Sequence, residues 1–437
     1  MRLTRRLMGQ GLKALRILAE TETVDRAGLR KPAERALYHA SRAGFGTVAA
    51  TGRALRASKK LMRPNRLPNA TGLDLFDLRP TEEQQMLQQA CRDFALEILR
   101  PAAPDADTRS AASQAMIDQA HELGLQEMVI PQRLGGAGEA RTAVTQLLIT
   151  EALAQGDPGL AWACLSSVAV SRALVLWGDA DQQSQCLPSL LAGETQASLA
   201  ILEPGALFDP FHLRTRAHRN DDGFVLSGEK SLVAGAQAAD LLIIAAHLEG
   251  KGPALFLLRA DTAGIALEPQ PSMGMRAAAP ARLLLNQLRL PASALLGDAS
   301  AAQYRQCVAL SRLAWCGIAI GCGQAVLDLV SEYVNQRTAF GEPISHRQAV
   351  AFAVADMALE LQGMRLASWR AAALADGDAS FAAQAALAHR LCAEKAVMIG
   401  NQGVQLLGGH GFTREFPVER WYRDLRAIGL MAGGLLV

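Results

Sequence analysis

The strongest constraint on this chain is a change of period along it. From Thr81, which reads as an N-cap with Glu82 and Glu83 in the first turn, the pattern is helical to about Leu191. Residues 196–295 then break into short β-like runs, LAILEPG, GFVLSGEKSLVAG, ADLLIIAAHL, GPALFLLRA and ARLLLNQLRL, separated by Gly, Pro and Asp. From Ala301 onward long Ala/Leu-rich segments are helical again, interrupted by an RTAFGEP loop at 337–343 and a GGHGF loop at 408–412. The order predicts an all-β unit of about 100 residues between two helical units. A chain of 437 residues can bury a sizeable core unaided, and with half its residues hydrophobic the disordered, collagenous and low-complexity classes are excluded.

The net charge of +2 conceals an asymmetry. Residues 1–70 hold 16 Lys/Arg against four acidic residues, leaving 28 Lys/Arg and 38 acidic residues for the remainder. Residues 1–19 set Leu3, Leu7, Leu12, Leu15 and Leu18 among Arg2, Arg5, Arg6, Lys13 and Arg16, and a second basic stretch runs from Arg42 to Arg66. Such a head is expected to meet an anionic membrane surface through residues 1–66, or an acidic partner. The alternative is a solvated or domain-packing helical arm. Nucleic acid is disfavoured because the head has little aromatic interleaving. Pro64, Pro68, Asn69 and Gly72 mark a linker, so 1–72 reads as an extension to units at 73–194, 195–299 and 300–437. Seven cysteines without a CxxC pair or metal-ligand spacing read as reduced, buried thiols, and no metal site is expected. The expected location is cytoplasmic, with the inner face of a membrane as the site of any recruitment. No uninterrupted run of 18 apolar residues is present, so no bilayer span is expected.

Several stretches together carry a family resemblance: IPQRLGG at 130–136, DQQSQCLPSLLAGE at 181–194, LEPGA at 202–206, FVLSGEKSLVAGA at 224–236, QRTAFGEPISHRQAVAFAVADM at 336–357 and QLLGGHGFTREFPVERWYRD at 405–424. In this order and spacing the chain resembles the acyl-CoA dehydrogenase family over residues 75–437. The resemblance implies an α+β multidomain chain: an N-terminal helical domain, a central β-barrel and a C-terminal four-helix bundle. It further implies FAD, an acyl-CoA substrate, an electron-transfer flavoprotein as electron acceptor, and a dimer or tetramer, either homomeric or formed with a paralogue.

The same resemblance implies site residues. Arg337 and Phe340 match a loop that reaches the FAD pyrophosphate and adenine of the next subunit, where an Arg fork suits phosphate oxygens. Gln348 falls at a further polar contact, and Gln405, Gly408 and Gly409 match a loop where small residues let the backbone approach the dinucleotide. At the flavin ring, the family's Thr before EPG is here Leu202, and its WIT or WIS segment is Leu232, Val233 and Ala234, so Leu202 and Ala234 occupy hydroxyl positions without hydroxyls. Phe208 replaces a substrate-contacting Ser, with Leu207 and Asp209 beside it.

The catalytic Glu slot, counted from Arg423–Asp424, holds Ala432, whose backbone N–H can still polarise a thioester carbonyl. The slot used by other branches, immediately before an Arg at the substrate, is Ser311–Arg312, and a serine hydroxyl needs an adjacent base to act. His410 lies beside the cofactor loop, but it, Glu203, Glu415 and Glu419 read as fold residues. Three functions therefore follow: an FAD-dependent dehydrogenase, a catalytically degenerate partner subunit or membrane-recruited scaffold, or different chemistry on a substrate acidic enough to need little help.

Overall fold

A computed structural model of the chain describes residues 79–138, 143–205, 207–377 and 380–431. The basic head, including the stretch 1–66 assigned to an anionic surface, and Ala432 lie outside the described residues.

Thr81 opens helix α1 (Glu82–Phe94): its Oγ1 accepts the Gln84 N–H at 3.2 Å while the Gln84 side chain accepts the Thr81 N–H at 3.0 Å. A π turn at Ala95–Leu99 leads into α2 (Arg100–Arg109), followed by α3 (Gln114–Glu122), α4 (Ala143–Ala154), α5 (Pro158–Trp177) and α6 (Ala180–Leu191). Asp157 caps α5 by accepting the Leu160 N–H at 3.0 Å, and Pro158 fills the first helical position, where no donor is needed.

The β unit comprises β1 (Ala197–Ala200), β2 (Arg216–Asn220), β3 (Gly223–Val233), β4 (Leu241–Leu248), β5 (Gly252–Arg259), β6 (Ile265–Pro269), β7 (Ala281–Pro291) and β8 (Leu295–Leu296). They form one sheet in the order β6-β7-β3-β2-β4-β5-β8, with β1 pairing parallel to β4 so that Ala197 faces Leu241. Strand β4 explains its own apolar run. Leu242, Ile244 and Ala246 join the core inside the sheet, whereas Leu241, Ile243 and Ala245 join the helical core on its other face.

The expected barrel is not closed. The edges β6 and β8 are not paired to each other among the described residues. Strand β8 is two residues long, and β6 ends in Pro269, which has no N–H, so neither edge offers the run of donors that closure requires.

The C-terminal part is built on α7 (Ala301–Gln336), α8 (Gln348–Asp376), α9 (Ala382–Leu407) and α11 (Val418–Ala427). The two stretches read as loops are ordered: 338–343 pairs as β9 (Thr338–Ala339) with β10 (Glu342–Pro343), and Gly409–Phe412 is a single helical turn, α10. Helix α7 crosses α4 closely because of two glycines. A Cβ on Gly321 would lie 2.1 Å from the Glu151 carbonyl oxygen, and one on Gly317 2.9 Å from the Thr150 side chain. Helices α5 and α7 are long and apolar enough to cross a membrane on length and composition, a test that the uninterrupted-run criterion did not anticipate; 72% of the apolar window of α7 is buried in the fold. All seven cysteines are free.

Charged residues tie the layers together. Arg423 on α11 holds Asp107 through two bonds of 3.0 and 2.9 Å, Arg420 meets Asp157 at 3.1 Å, and Asp424 accepts the Met275 N–H. At the end of α8, Asp376 accepts the N–H groups of Ala143 and Val144 at 2.7 and 3.0 Å, capping α4 from 232 residues away in sequence. Asp376→Ala is expected to cost about 1–2 kcal/mol, the scale of a lost N-cap. Thermal unfolding checks this, and an unchanged midpoint would refute the capping role.

Candidate active site

An apolar cavity of about 160 Å³ lies between α5, α7 and the sheet, with Gln146 and Thr150 of α4 at its margin. Its sheet wall is Leu199, Ile201, Leu202, Ser231, Leu232 and Ala234; its helical walls include Trp162, Arg172, Cys307, Ser311 and Trp315. Leu202 and Ala234 thus reach one surface.

That surface is held by a buried ion pair. Lys230 Nζ is 2.8 Å from Glu203, which also accepts the N–H groups of Arg214 at 2.7 Å and Thr215 at 2.9 Å. The Ser231 N–H donates to the Leu202 carbonyl at 3.0 Å, joining the two wall segments directly. Burial alone would raise the Glu203 pKa, but the Lys230 charge and the donors around the carboxylate hold it below the usual carboxylate range. Burial pulls Lys230 down to about 8, against the attraction of Glu203. At neutral pH the pair is ionic, and both side chains are committed to the fold.

Among the described residues lining the cavity, no carboxylate or imidazole is present. Burial pushes the Cys307 thiol up to about 12, so it stays protonated. Arg172 is pulled down to about 10 by burial, with Asp376 opposing, and remains a cation. Neither group is a base at neutral pH.

A second cleft, of about 320 Å³, gathers Arg337, Gln405, Gly408 and Gly409 with Tyr333, Ile344 and His410. Gly408 has φ +58°, and a Cβ on either glycine would meet nothing within 4 Å, which leaves the backbone open to a ligand. His410 Nδ1 is 2.8 Å from the Tyr333 hydroxyl and its ring stacks on Phe416 at 5.4 Å, which fixes the cleft floor.

The remaining candidates are placed elsewhere. Phe340 has φ +55° and is 95% exposed at the hairpin tip, with the Arg347 guanidinium 5.6 Å from its ring; Gln348 begins α8 and is exposed. Neither lines the cleft within this chain. Phe208 and Arg312 are both buried and outside the lining of the 160 Å³ cavity, with Arg312 lying 5.9 Å over the Phe211 ring. The Phe208 side chain is packed into the core. Sequence reasoning passed over Gln146, Trp162, Arg172 and Trp315. Arg172 had a visible signal, being the only charge in α5.

The two sites sit at different stations on α7. Ser311 is in the inner cavity and Arg337 caps the C-terminal end, about 40 Å away at about 1.5 Å per residue.

The helical, sheet and helical frame is that of an acyl-CoA dehydrogenase-type fold, and the chain matches the N-terminal, middle and C-terminal domain families of acyl-CoA dehydrogenases over residues 81–194, 198–288 and 301–434. It belongs to the acyl-CoA dehydrogenase family. The short-chain specific acyl-CoA dehydrogenase of Bos taurus mitochondria is 34% identical over 367 residues, covering 80% of this chain and 87% of the relative. A probable acyl-CoA dehydrogenase of Bacillus subtilis is 32% identical over 361 residues, covering 81% and 95%. The butyryl-CoA dehydrogenase structure from Megasphaera elsdenii superposes with a TM-score of 0.77 at 26% identity, covering 83% of this chain and 97% of that one. Family members are FAD-using oxidoreductases acting on CH–CH bonds.

Proposed function

We propose that the chain is an FAD-dependent acyl-CoA dehydrogenase that forms a Cα–Cβ double bond in an acyl-CoA thioester. The observation that carries this reading is the apolar cavity enclosed by α4, α5 and α7 against the Leu202 and Ser231–Ala234 wall. The residues present fit FAD. Arg337 and Gln405 beside the open Gly408–Gly409 backbone suit the diphosphate, and the Leu202, Leu232 and Ala234 surface suits the flat ring. The wall's own polar groups are engaged: the Leu232 N–H donates to Gln270 Oε1 at 2.7 Å and the Ala234 carbonyl accepts from Ser198 Oγ. When bound, FAD supplies the acceptor for the hydride that leaves Cβ.

This chain's residues then divide the work. The apolar walls exclude water and hold the acyl chain, and the family resemblance gives the Ala432 N–H the role of polarising the thioester. The described lining offers no group to take the α-proton. That observation favours a second reading, a degenerate subunit paired with an active paralogue. Because Ser311 and Arg337 stand about 40 Å apart, one chain's ring wall and its own phosphate cleft do not serve one cofactor, and the complete site takes a second copy. An electron-transfer flavoprotein is the proposed electron acceptor. Free cysteines support a reducing compartment.

The visible spectrum tests the reading. Purified protein should be yellow and should bleach anaerobically with an acyl-CoA; colourless protein that cannot be reconstituted with FAD would overturn it. Arg337→Ala should weaken FAD retention about 10- to 100-fold, the scale of a lost charged hydrogen bond. Fluorescence titration of released flavin measures this, and unaltered retention would remove Arg337 from the cofactor site.

A further inference from the structure

The 160 Å³ cavity adjoins a second compartment of about 80 Å³, with which it shares seven residues, Gln146, Thr150 and Arg172 among them. The compartment contains none of Leu202, Ser231, Leu232 or Ala234, so it lies away from the ring wall. Its other walls are Leu, Val, Ile and Ala side chains, and it is too small for the nucleotide part of CoA. Arg172 is the sole charged residue lining either space among the described residues.

Arg172 makes no hydrogen bond or ion pair among the described residues. Its nearest influence is Asp376, and that carboxylate is occupied by the Ala143 and Val144 N–H groups at the start of α4. Gln146 Nε2, on the same lining, is buried with no hydrogen-bond partner. Two donors with no acceptor therefore converge on one apolar space. A half-buried cation without a partner is unfavourable, and a buried unmet donor adds to the cost. An anionic acceptor at this point would offset both. A carboxylate matches best, since its two oxygens meet the planar guanidinium fork and leave a lone pair for the amide.

We propose that Arg172 and Gln146 receive a carboxylate at the far end of the acyl group, so that the substrate is the CoA monothioester of a dicarboxylic acid. This rests on the acyl-CoA reading of the cavity and narrows it. Arg172 acts on specificity alone, remaining a cation throughout while the reacting carbons lie at the ring wall.

The test is calorimetric binding to the full-length flavin-loaded protein, using glutaryl-CoA against valeryl-CoA and adipyl-CoA against hexanoyl-CoA. The carboxylated member of at least one pair should bind at least about tenfold tighter. Arg172→Met should abolish that preference while still binding the uncharged thioester, and Arg172→Lys should keep part of it. Equal binding within both pairs, or a preference for the uncharged members, overturns the proposal and leaves the acyl-CoA reading standing. If no thioester binds, both fall. Should Arg172→Met fail to fold, the Arg172→Lys and Gln146→Leu variants carry the comparison, and an undiminished preference in both overturns the assignment.

Discussion

Ala432→Glu should accelerate bleaching of the bound flavin by acyl-CoA about 10²–10⁴-fold, the range that a positioned general base contributes. Removal of an α-proton needs an acceptor, yet among the described residues the lining of the inner cavity offers no carboxylate or imidazole, only hydroxyls, an amide, a protonated thiol at Cys307 and a cation at Arg172. Counting onward from Arg423–Asp424 places Ala432 in the family's base slot. A carboxylate supplies the acceptor that the described lining lacks. Anaerobic stopped-flow absorbance measures the effect. A variant that holds FAD and acyl-CoA but bleaches no faster than the parent would show that the missing carboxylate is not what limits the reaction, and the degenerate-subunit reading would gain.

Lys230→Met should destabilise the chain by about 3–5 kcal/mol, because it leaves Glu203 buried without its cation. The effect should depend on pH in a defined direction. In the parent, Glu203 is held below its usual range, so its contribution is present above about 4.5 and is lost as pH falls through the lowered value. In the variant, burial is opposed only by the Arg214 and Thr215 donors that remain, so the Glu203 pKa rises relative to the parent and the folded state gains as the carboxyl protonates. The loss caused by the substitution should therefore be largest near neutral pH and shrink toward pH 4. Urea unfolding across that range checks it, and a pH-independent loss would mean that Lys230 contributes through packing alone. Leu202 and Ser231 adjoin the pair, so the ring wall should loosen with it.

The legibility of this molecule varies by the kind of interaction. Local signals transferred directly: Thr81 caps α1, and Arg337, Gln405, Gly408 and Gly409 converge on one cleft although they come from two segments. Barrel closure did not transfer, since it depends on whether two distant edges pair, and Pro269 and the two-residue β8 act on that only after the sheet is assembled. Phe340 and Gln348 stand away from the cleft, at the hairpin tip and the start of α8. The inner cavity was the least legible part. Helices α4, α5 and α7 are apolar on nearly every face, so sequence alone does not tell which Leu or Trp looks into a void and which into the core. Arg172 was the exception, a lone charge on an uncharged helix.

The length of α7 has a consequence for how such a protein behaves at low concentration. With the inner cavity reached by Ser311 near one end of a 36-residue helix and the phosphate cleft at its other end, each cofactor site in the proposed assembly is shared by two chains. Flavin and subunit association are then linked equilibria: cofactor tightens the assembly, and dilution releases cofactor. Two differently damaged chains, one faulty at Arg337 and the other at the ring wall, would restore one sound site when mixed, because each lends the other the end that it still has.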